Sequence, residues 1–132
     1  MAQTFADSLQ EVIELCQQRL TAVTIARHTI REHVALVEIH VMYGRYAIHI
    51  REVCQADGVR KYAYYALQND QVVVGFDNVP DPQALKLKYG ALYTAHRLER
   101  IPHQHTAQKT AVMLTEEVAC AHFLDWLMAN LI

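Results

Sequence analysis

Glycine is scarce in this chain, and its four glycines are far apart: Gly44, Gly58, Gly75 and Gly90. A Gly-rich phosphate-binding loop therefore cannot form, and no GxSxG pattern marks a hydrolase nucleophile. No apolar run approaches the roughly 20 residues of a membrane span. Asp7 and Glu11 stand where a signal peptide would carry Lys or Arg. These absences predict a cytoplasmic protein with no membrane partner.

Cysteine is also sparse. The three cysteines, Cys16, Cys54 and Cys120, are odd in number and form no CxxC pair. This excludes a disulfide framework as well as zinc ribbons and zinc fingers, and it predicts a reducing compartment in which the three side chains are buried. The net charge of −2 and the pI of about 6.4 provide no general basic field. Any affinity for nucleic acid must therefore come from a local patch.

The overall composition is typical of a folded protein. The chain has 132 residues, of which 52% are apolar and 20% charged, which predicts a single domain over residues 1–132. Apolar residues recur at spacings of three and four over residues 4–20, which predicts an amphipathic helix. Thr4 is its expected N-cap, and Asp7 completes a pattern that resembles a capping box.

From His33 the apolar period changes to two, which predicts strands. Short turn signals at Gly44, at residues 56–58 and at residues 69–70 separate the strands, so the neighbours are antiparallel. A last helix is expected from an N-cap at Thr115 to about residue 130. The predicted fold is α+β: a four- to five-stranded antiparallel meander packed against N- and C-terminal helices in two layers. Residues 21–31 are either a strand or a helix extension, and residues 83–100 are a short helix or a loop.

Two histidines form the densest candidate for chemistry. His103 and His105 point to the same side of an extended backbone, so they can act as acid and base, ligate a metal, or serve as structural or surface residues. A zinc site needs at least one further ligand, for which Asp77, His96 or a strand histidine is available. Because that ligand set is thin, we predict neither a metal nor another cofactor.

A second candidate lies at the end of the fourth predicted strand. Asp77 and Asn78 are either ordinary turn residues or, for Asp77, the carboxylate that orients a histidine of the later pair. A third candidate is the collection of Tyr, Arg and His side chains on the meander. Such side chains suit RNA contacts, and they equally suit a solvated sheet face or a protein interface.

Three short motifs carry a resemblance to a known family. The segments KYAYY (61–65), VVVGFDNVP (72–80) and IPHQH (101–105), followed by a terminal amphipathic helix, resemble the TumE-like family of small prokaryotic toxins of toxin–antitoxin pairs. The match covers roughly the second and third quarters of the chain and the last helix. Two features depart from the family pattern. Gly75 stands where Arg is common, and residues 81–100 intervene where the family has a short connection.

The resemblance implies a toxin-like protein, which we interpret as a metal-independent ribonuclease. In this hypothesis His103 and His105 are acid and base, Asp77 orients them, Arg100 or Arg97 stabilises the phosphorane charge, and Tyr64 stacks or donates a proton. The expected partners are a cognate antitoxin and RNA, and a homodimer is left open. The alternative is a non-catalytic protein that binds a partner protein or RNA through the Tyr-rich sheet face.

Overall fold

The computed structural model describes residues 4–131. The strands and helices follow one another in this order: α1 (Phe5–Arg19), β1 (Thr24–Ile30), β2 (Val34–Tyr43), β3 (Tyr46–Gln55), β4 (Arg60–Gln68), β5 (Gln71–Asp77), α2 (Pro82–Tyr89), a 3-10 helix (Gly90–His96), β6 (His103–Thr106), β7 (Ala111–Leu114) and α3 (Cys120–Asn130). A short 3-10 turn, Ala107–Lys109, joins β6 to β7. The α+β class is confirmed.

Within residues 4–131, seven strands form one antiparallel sheet in chain order. The prediction of four to five strands was too low. The ambiguous residues 21–31 contain β1, an exposed edge strand. The strands β6 and β7 follow α2 in the chain and extend the sheet at the edge formed by β5. Each has only 4 residues, which is too short for a period of two to be recognised in the sequence.

One face of the sheet carries the main core. Alternate residues of β2 to β5 point toward α1 and α3, and the buried set includes Val37, Ile39, Ile48, Ile50, Tyr64, Val74 and Phe76. The helices supply Leu9, Ile13, Phe123, Leu124 and Leu127 to the same cluster. This part of the structure agrees with a two-layer packing of both terminal helices on one face.

The opposite face of the sheet is partly covered by α2, so the prediction of two layers is incomplete. Ala84 and Leu85 of α2 form a second small apolar cluster with Ile101, and Val112 of β7 packs against it. Val112 pairs directly with His105 in the sheet, so this cluster lies on the face turned away from α1 and α3. Thus α2 partly covers the end of the sheet that contains the histidine pair.

The predicted N-terminal cap of α1 is confirmed. The backbone N–H of Asp7 donates to Thr4 Oγ1 at 3.1 Å, and the N–H of Thr4 donates to Asp7 Oδ2 at 3.4 Å. This reciprocal pair satisfies two backbone donors that the first helical turn leaves free.

The last helix begins later than its sequence pattern predicts, at Cys120 rather than next to Thr115. The preceding segment is held extended by contacts with β4. Arg60 donates to Glu117 Oε1 at 2.8 Å and to the Val118 carbonyl at 3.0 Å, and the Val118 N–H donates to the Tyr62 hydroxyl at 3.1 Å. These tertiary hydrogen bonds outweigh a local cap, which is worth only about 1 kcal/mol.

All three cysteines are free and buried, as the sequence predicts. Cys16 and Cys120 face each other between α1 and α3, with their sulfur atoms 3.9 Å apart. Over residues 4–131, no helix combines the length and the apolar character needed to cross a bilayer.

Candidate active site

The register of β5 and β6 assembles the site. Asp77 lies directly opposite His103, and Gly75 lies opposite His105. Directly paired residues in an antiparallel sheet present their side chains on the same face. The Asp77 carboxylate and both imidazoles therefore share the face opposite to Phe76, which points into the main core.

The three side chains are in contact and almost fully buried. His103 Nε2 lies 3.2 Å from Asp77 Oδ1, and His105 Nε2 lies 3.5 Å from Asp77 Oδ2. The two Nε2 atoms are 3.0 Å apart. Only 1% of His103 and 6% of His105 is exposed to solvent. The long segment 81–100 therefore does not separate the histidine pair from the end of β5.

Hydrogen bonds define the tautomer of His103. Its Nδ1 lies 2.6 Å from the Ile101 carbonyl oxygen. A carbonyl only accepts, so Nδ1 carries a proton, and in the neutral form of the ring the lone pair is at Nε2. His105 Nδ1 has no hydrogen-bond partner within residues 4–131. One proton between the two Nε2 atoms, which are 3.0 Å apart, is the arrangement that fits these contacts.

Two further residues that the sequence interpretation did not select belong to the site. Asp81 caps α2 through Oδ1, which accepts from the Ala84 N–H at 2.9 Å. Its second oxygen, Oδ2, lies 4.0 Å from His103 Nε2 and 3.9 Å from His105 Nε2. The Tyr65 hydroxyl donates to Asp77 Oδ2. An Asp followed by Pro82 is a sequence signal for a helix start, and it could have drawn attention to Asp81, although not to its contact with the histidines.

Tyr64 does not reach the site. It lies on the other face of the sheet, where it is 0% exposed and stacks on Phe123 at a centroid distance of 5.3 Å. Its hydroxyl accepts from Arg60. Because side chains alternate along β4, its neighbour Tyr65 takes the position facing Asp77. The catalytic role assigned to Tyr64 therefore does not fit its location.

Nor is Arg100 part of the site. It is exposed, and neither it nor Arg97 lines the cavity of about 320 Å³ that opens onto the histidines. The cationic side chain that lines this cavity within the described residues is Lys109. Its ammonium lies 5.0 Å from the centroid of the Tyr65 ring, a cation–π contact that holds a positive charge close enough to act on His105.

Electrostatic shifts agree with this geometry. Burial, and then the charge of His103, lowers the pKa of His105, against the opposite influence of Asp77 and Asp81. Burial, and then the hydrogen bond to the Asp77 carboxylate, raises the pKa of Tyr65. The imidazole is therefore disposed to be neutral, and the phenol stays a proton donor. Such a site can accept one proton and donate another within a single cavity.

The Tyr-rich sheet face expected from the sequence is not available to a partner as such. Tyr62 is 2% exposed and Tyr64 is 0% exposed, and both belong to the main core. The open face instead presents Tyr65 beside His49, its direct partner in β3, and the stacked pair of His40 and His49, whose ring centroids are 4.4 Å apart.

No protein-family model matches the chain, and searches of curated proteins and of solved structures likewise returned no match. The resemblance to the TumE-like family stays a prediction that depends on the three motifs.

The absence of a side chain at Gly75 is required by Tyr65. A Cβ placed on Gly75 would overlap the Tyr65 ring, including its Cζ at 2.9 Å. We expect Gly75→Ala to push the ring away, break its hydrogen bond to Asp77 and lower the free energy of unfolding by about 1–3 kcal/mol, the usual cost of overpacking. Urea unfolding measures this cost.

The matched control for this prediction is the same substitution in a Tyr65→Ala background. Without the ring there is no overlap, so the cost of Gly75→Ala should fall close to zero. An equal cost in both backgrounds would show that the ring is not what excludes a side chain at position 75.

Proposed function

We propose that this chain is a toxin-like ribonuclease that acts in the cytoplasm, is held in check by a cognate antitoxin, and cleaves RNA by acid–base chemistry at the Asp77–His103–His105 site. The observation that supports this most is the histidine pair itself. Two nearly buried imidazoles are in contact beside a carboxylate, and they border a cavity that also contains a phenol and an ammonium group.

The geometry changes the roles given to the two histidines. A general base and a general acid each need to lie about 2.6–3.2 Å from the atom they serve. In an in-line displacement, the attacking and leaving oxygens lie on opposite sides of phosphorus. Two nitrogens only 3.0 Å apart cannot serve both oxygens. We therefore assign the pair as one proton-accepting unit and place the acid elsewhere.

As a base, the pair takes up one proton from the 2′-hydroxyl of RNA. Both Nε2 atoms then carry hydrogen, and they face the two oxygens of Asp77 at 3.2 and 3.5 Å. The carboxylate stabilises this charged state, because an opposite charge at such distances favours protonation. Asp77 thus acts as a positioning residue.

Tyr65 and Lys109 complete the reaction. As the 2′-oxygen forms its bond to phosphorus and the bond from phosphorus to the 5′-oxygen breaks, the Tyr65 hydroxyl donates its proton to the leaving oxygen. The products are a 2′,3′-cyclic phosphate and a 5′-hydroxyl, and the proton on the histidine pair returns to Tyr65 through Asp77. Lys109 stabilises the phosphorane charge and takes the role that the sequence interpretation gave to Arg100 or Arg97.

Induced expression in a bacterial host that lacks the gene for the proposed antitoxin tests this function. We expect the wild-type chain to arrest growth and to fragment cellular RNA, and we expect a His103→Ala, His105→Ala double variant to do neither. A His28→Ala, His33→Ala double variant is the control, since both side chains are exposed. Normal growth and intact RNA with the wild-type chain would contradict the proposal.

A further inference from the structure

The same side chains have the arrangement of a metal-binding site. Asp77, His103 and His105 each present one ligand atom, and these atoms all lie within 4.8 Å of one another. We propose that they bind one divalent transition-metal ion, with Zn²⁺ as the reference ion and Asp81 as the fourth ligand. This inference rests on the proposed function in one respect, namely that the ion would regulate that activity.

The distances between the ligand atoms fit a small ion. Ligands about 2.0–2.1 Å from a tetrahedral Zn²⁺ lie about 3.3 Å from one another. The two Nε2 atoms are 3.0 Å apart, and they lie 3.2 and 3.5 Å from the nearest Asp77 oxygens. Asp81 Oδ2 is farther out, at 3.9 and 4.0 Å, and is therefore the most weakly placed ligand.

The surroundings of His103 and Asp77 are those that metal sites require, whereas His105 Nδ1 has no partner among the described residues. A metal-bound histidine usually donates its other ring N–H to a carbonyl or carboxylate, which fixes the ring and leaves the coordinating nitrogen unprotonated. His103 does this through its 2.6 Å contact with the Ile101 carbonyl. Asp77 is fixed in the same way, since its oxygens accept from the Val79 N–H at 2.9 Å and from the Tyr65 hydroxyl.

The charge balance also favours a cation. Asp77 is only 4% exposed, and no Lys or Arg in residues 4–131 forms an ion pair with Asp77 or Asp81, whose ion-pair partners are the two histidines. Lys109 lines the same cavity but does not pair with either carboxylate. A buried carboxylate without a cationic partner is costly. Two imidazoles together with carboxylates select a borderline transition metal over Mg²⁺ or Ca²⁺, which prefer oxygen ligands alone.

A bound ion would regulate catalysis by occupying the atoms that transfer protons. The two Nε2 atoms cannot coordinate a metal and accept a proton from RNA at the same time. Zn²⁺ is therefore expected to inhibit RNA cleavage, and chelation is expected to restore it.

Calorimetric titration of the tag-free protein with ZnCl₂ tests binding directly. We expect one ion per chain, and we expect Co²⁺ in its place to give visible ligand-field absorption. Asp81→Asn should weaken Zn²⁺ binding by at least about 10-fold, the lower end of the loss when only a supporting residue is changed, because the amide keeps the cap of α2 but removes the charge that faces the imidazoles. Asp70→Asn, an exposed turn substitution, is the matched control and should bind as the wild type does.

The histidine variants separate this site from weak binding elsewhere. A His103→Ala, His105→Ala double variant should lose the saturable site. A His40→Ala, His49→Ala double variant, which removes the other pair of adjacent histidines, should keep it. Absence of stoichiometric Zn²⁺ binding, or equal binding by all these variants, would overturn the metal site.

The experiments distinguish a failure of Zn²⁺ binding from a failure of the ribonuclease function. If Zn²⁺ binds at one ion per chain but RNA is never cleaved, the metal site stands and the ribonuclease function is wrong. If RNA is cleaved and Zn²⁺ neither binds nor inhibits, the function stands and the metal inference is wrong. If chelation abolishes cleavage and Zn²⁺ restores it, the inhibitory role is overturned.

Discussion

Substitution of His105 by glutamine is expected to slow RNA cleavage by about 10²–10⁴-fold, the usual contribution of general acid–base catalysis. Glutamine preserves much of the volume beside Asp77 and can still form hydrogen bonds, but it cannot take up a proton. His105 is the more exposed member of the pair, at 6% against 1% for His103, so it is the member that meets the substrate. The measurement is the rate of cleavage of a short single-stranded RNA by purified protein in the presence of a chelator.

His49→Gln is the matched control for this loss. His49 stands next to Tyr65 on the neighbouring strand but is exposed and does not contact Asp77, His103 or His105 among the described residues. Its replacement should change the rate by less than about threefold, since an exposed side chain without a role in proton transfer contributes little. Equal rates for wild type and His105→Gln, with both proteins folded, would remove His105 from the mechanism.

Arg60→Met is expected to lower the free energy of unfolding by about 3–5 kcal/mol, the typical cost of removing one partner of a buried ion pair. Arg60 Nη2 lies 2.6 Å from an oxygen of Glu52, whose side chain is only 3% exposed. The other Glu52 oxygen has no hydrogen-bond partner within the described residues. Without Arg60 the buried carboxylate is left without its cation, and the extended segment before α3 loses two hydrogen bonds.

The comparison for this prediction is Arg51→Met, because Arg51 also pairs with a glutamate across two strands. That pair, with Glu38 at 3.1 Å, is much more exposed, at 55% and 28% of the two side chains, so its loss should cost less than about 1 kcal/mol. Adding Glu52→Gln to Arg60→Met should recover much of the stability, since no buried charge then remains. Urea unfolding of the four proteins measures these differences; similar costs for the two arginines would show that burial does not govern the Arg60 pair.

Most of the local structure could be predicted because neighbouring residues determine it. The capping box of Thr4 and Asp7 needs only residues three apart. The strands β2 to β5 have a clear period of two, and their turns contain Gly44, Gly58 and the pair Asn69 and Asp70, all with positive φ in the structure. The register of such a hairpin follows from its turn and its apolar pattern.

Features that depend on distant contacts could not be predicted in the same way. The choice between Tyr64 and Tyr65 depends on which face of β4 meets Asp77, and this is decided by the pairing of β4 with β5 and of β5 with β6. The start of α3 depends on Arg60, which lies 58 residues before Val118 in the chain.

The positions of the four glycines and the period of two in the strands therefore predict the meander but only part of the site. The α+β class, the antiparallel meander, the cap of α1 and the candidate residues Asp77, His103 and His105 could be predicted without the structure, because they follow from periodicity, turn chemistry and residue type. The presence of Tyr65, Asp81 and Lys109 beside them depends on the folded chain. Strand register and the position of α2 bring these side chains together, and no local sequence pattern records such long-range contacts.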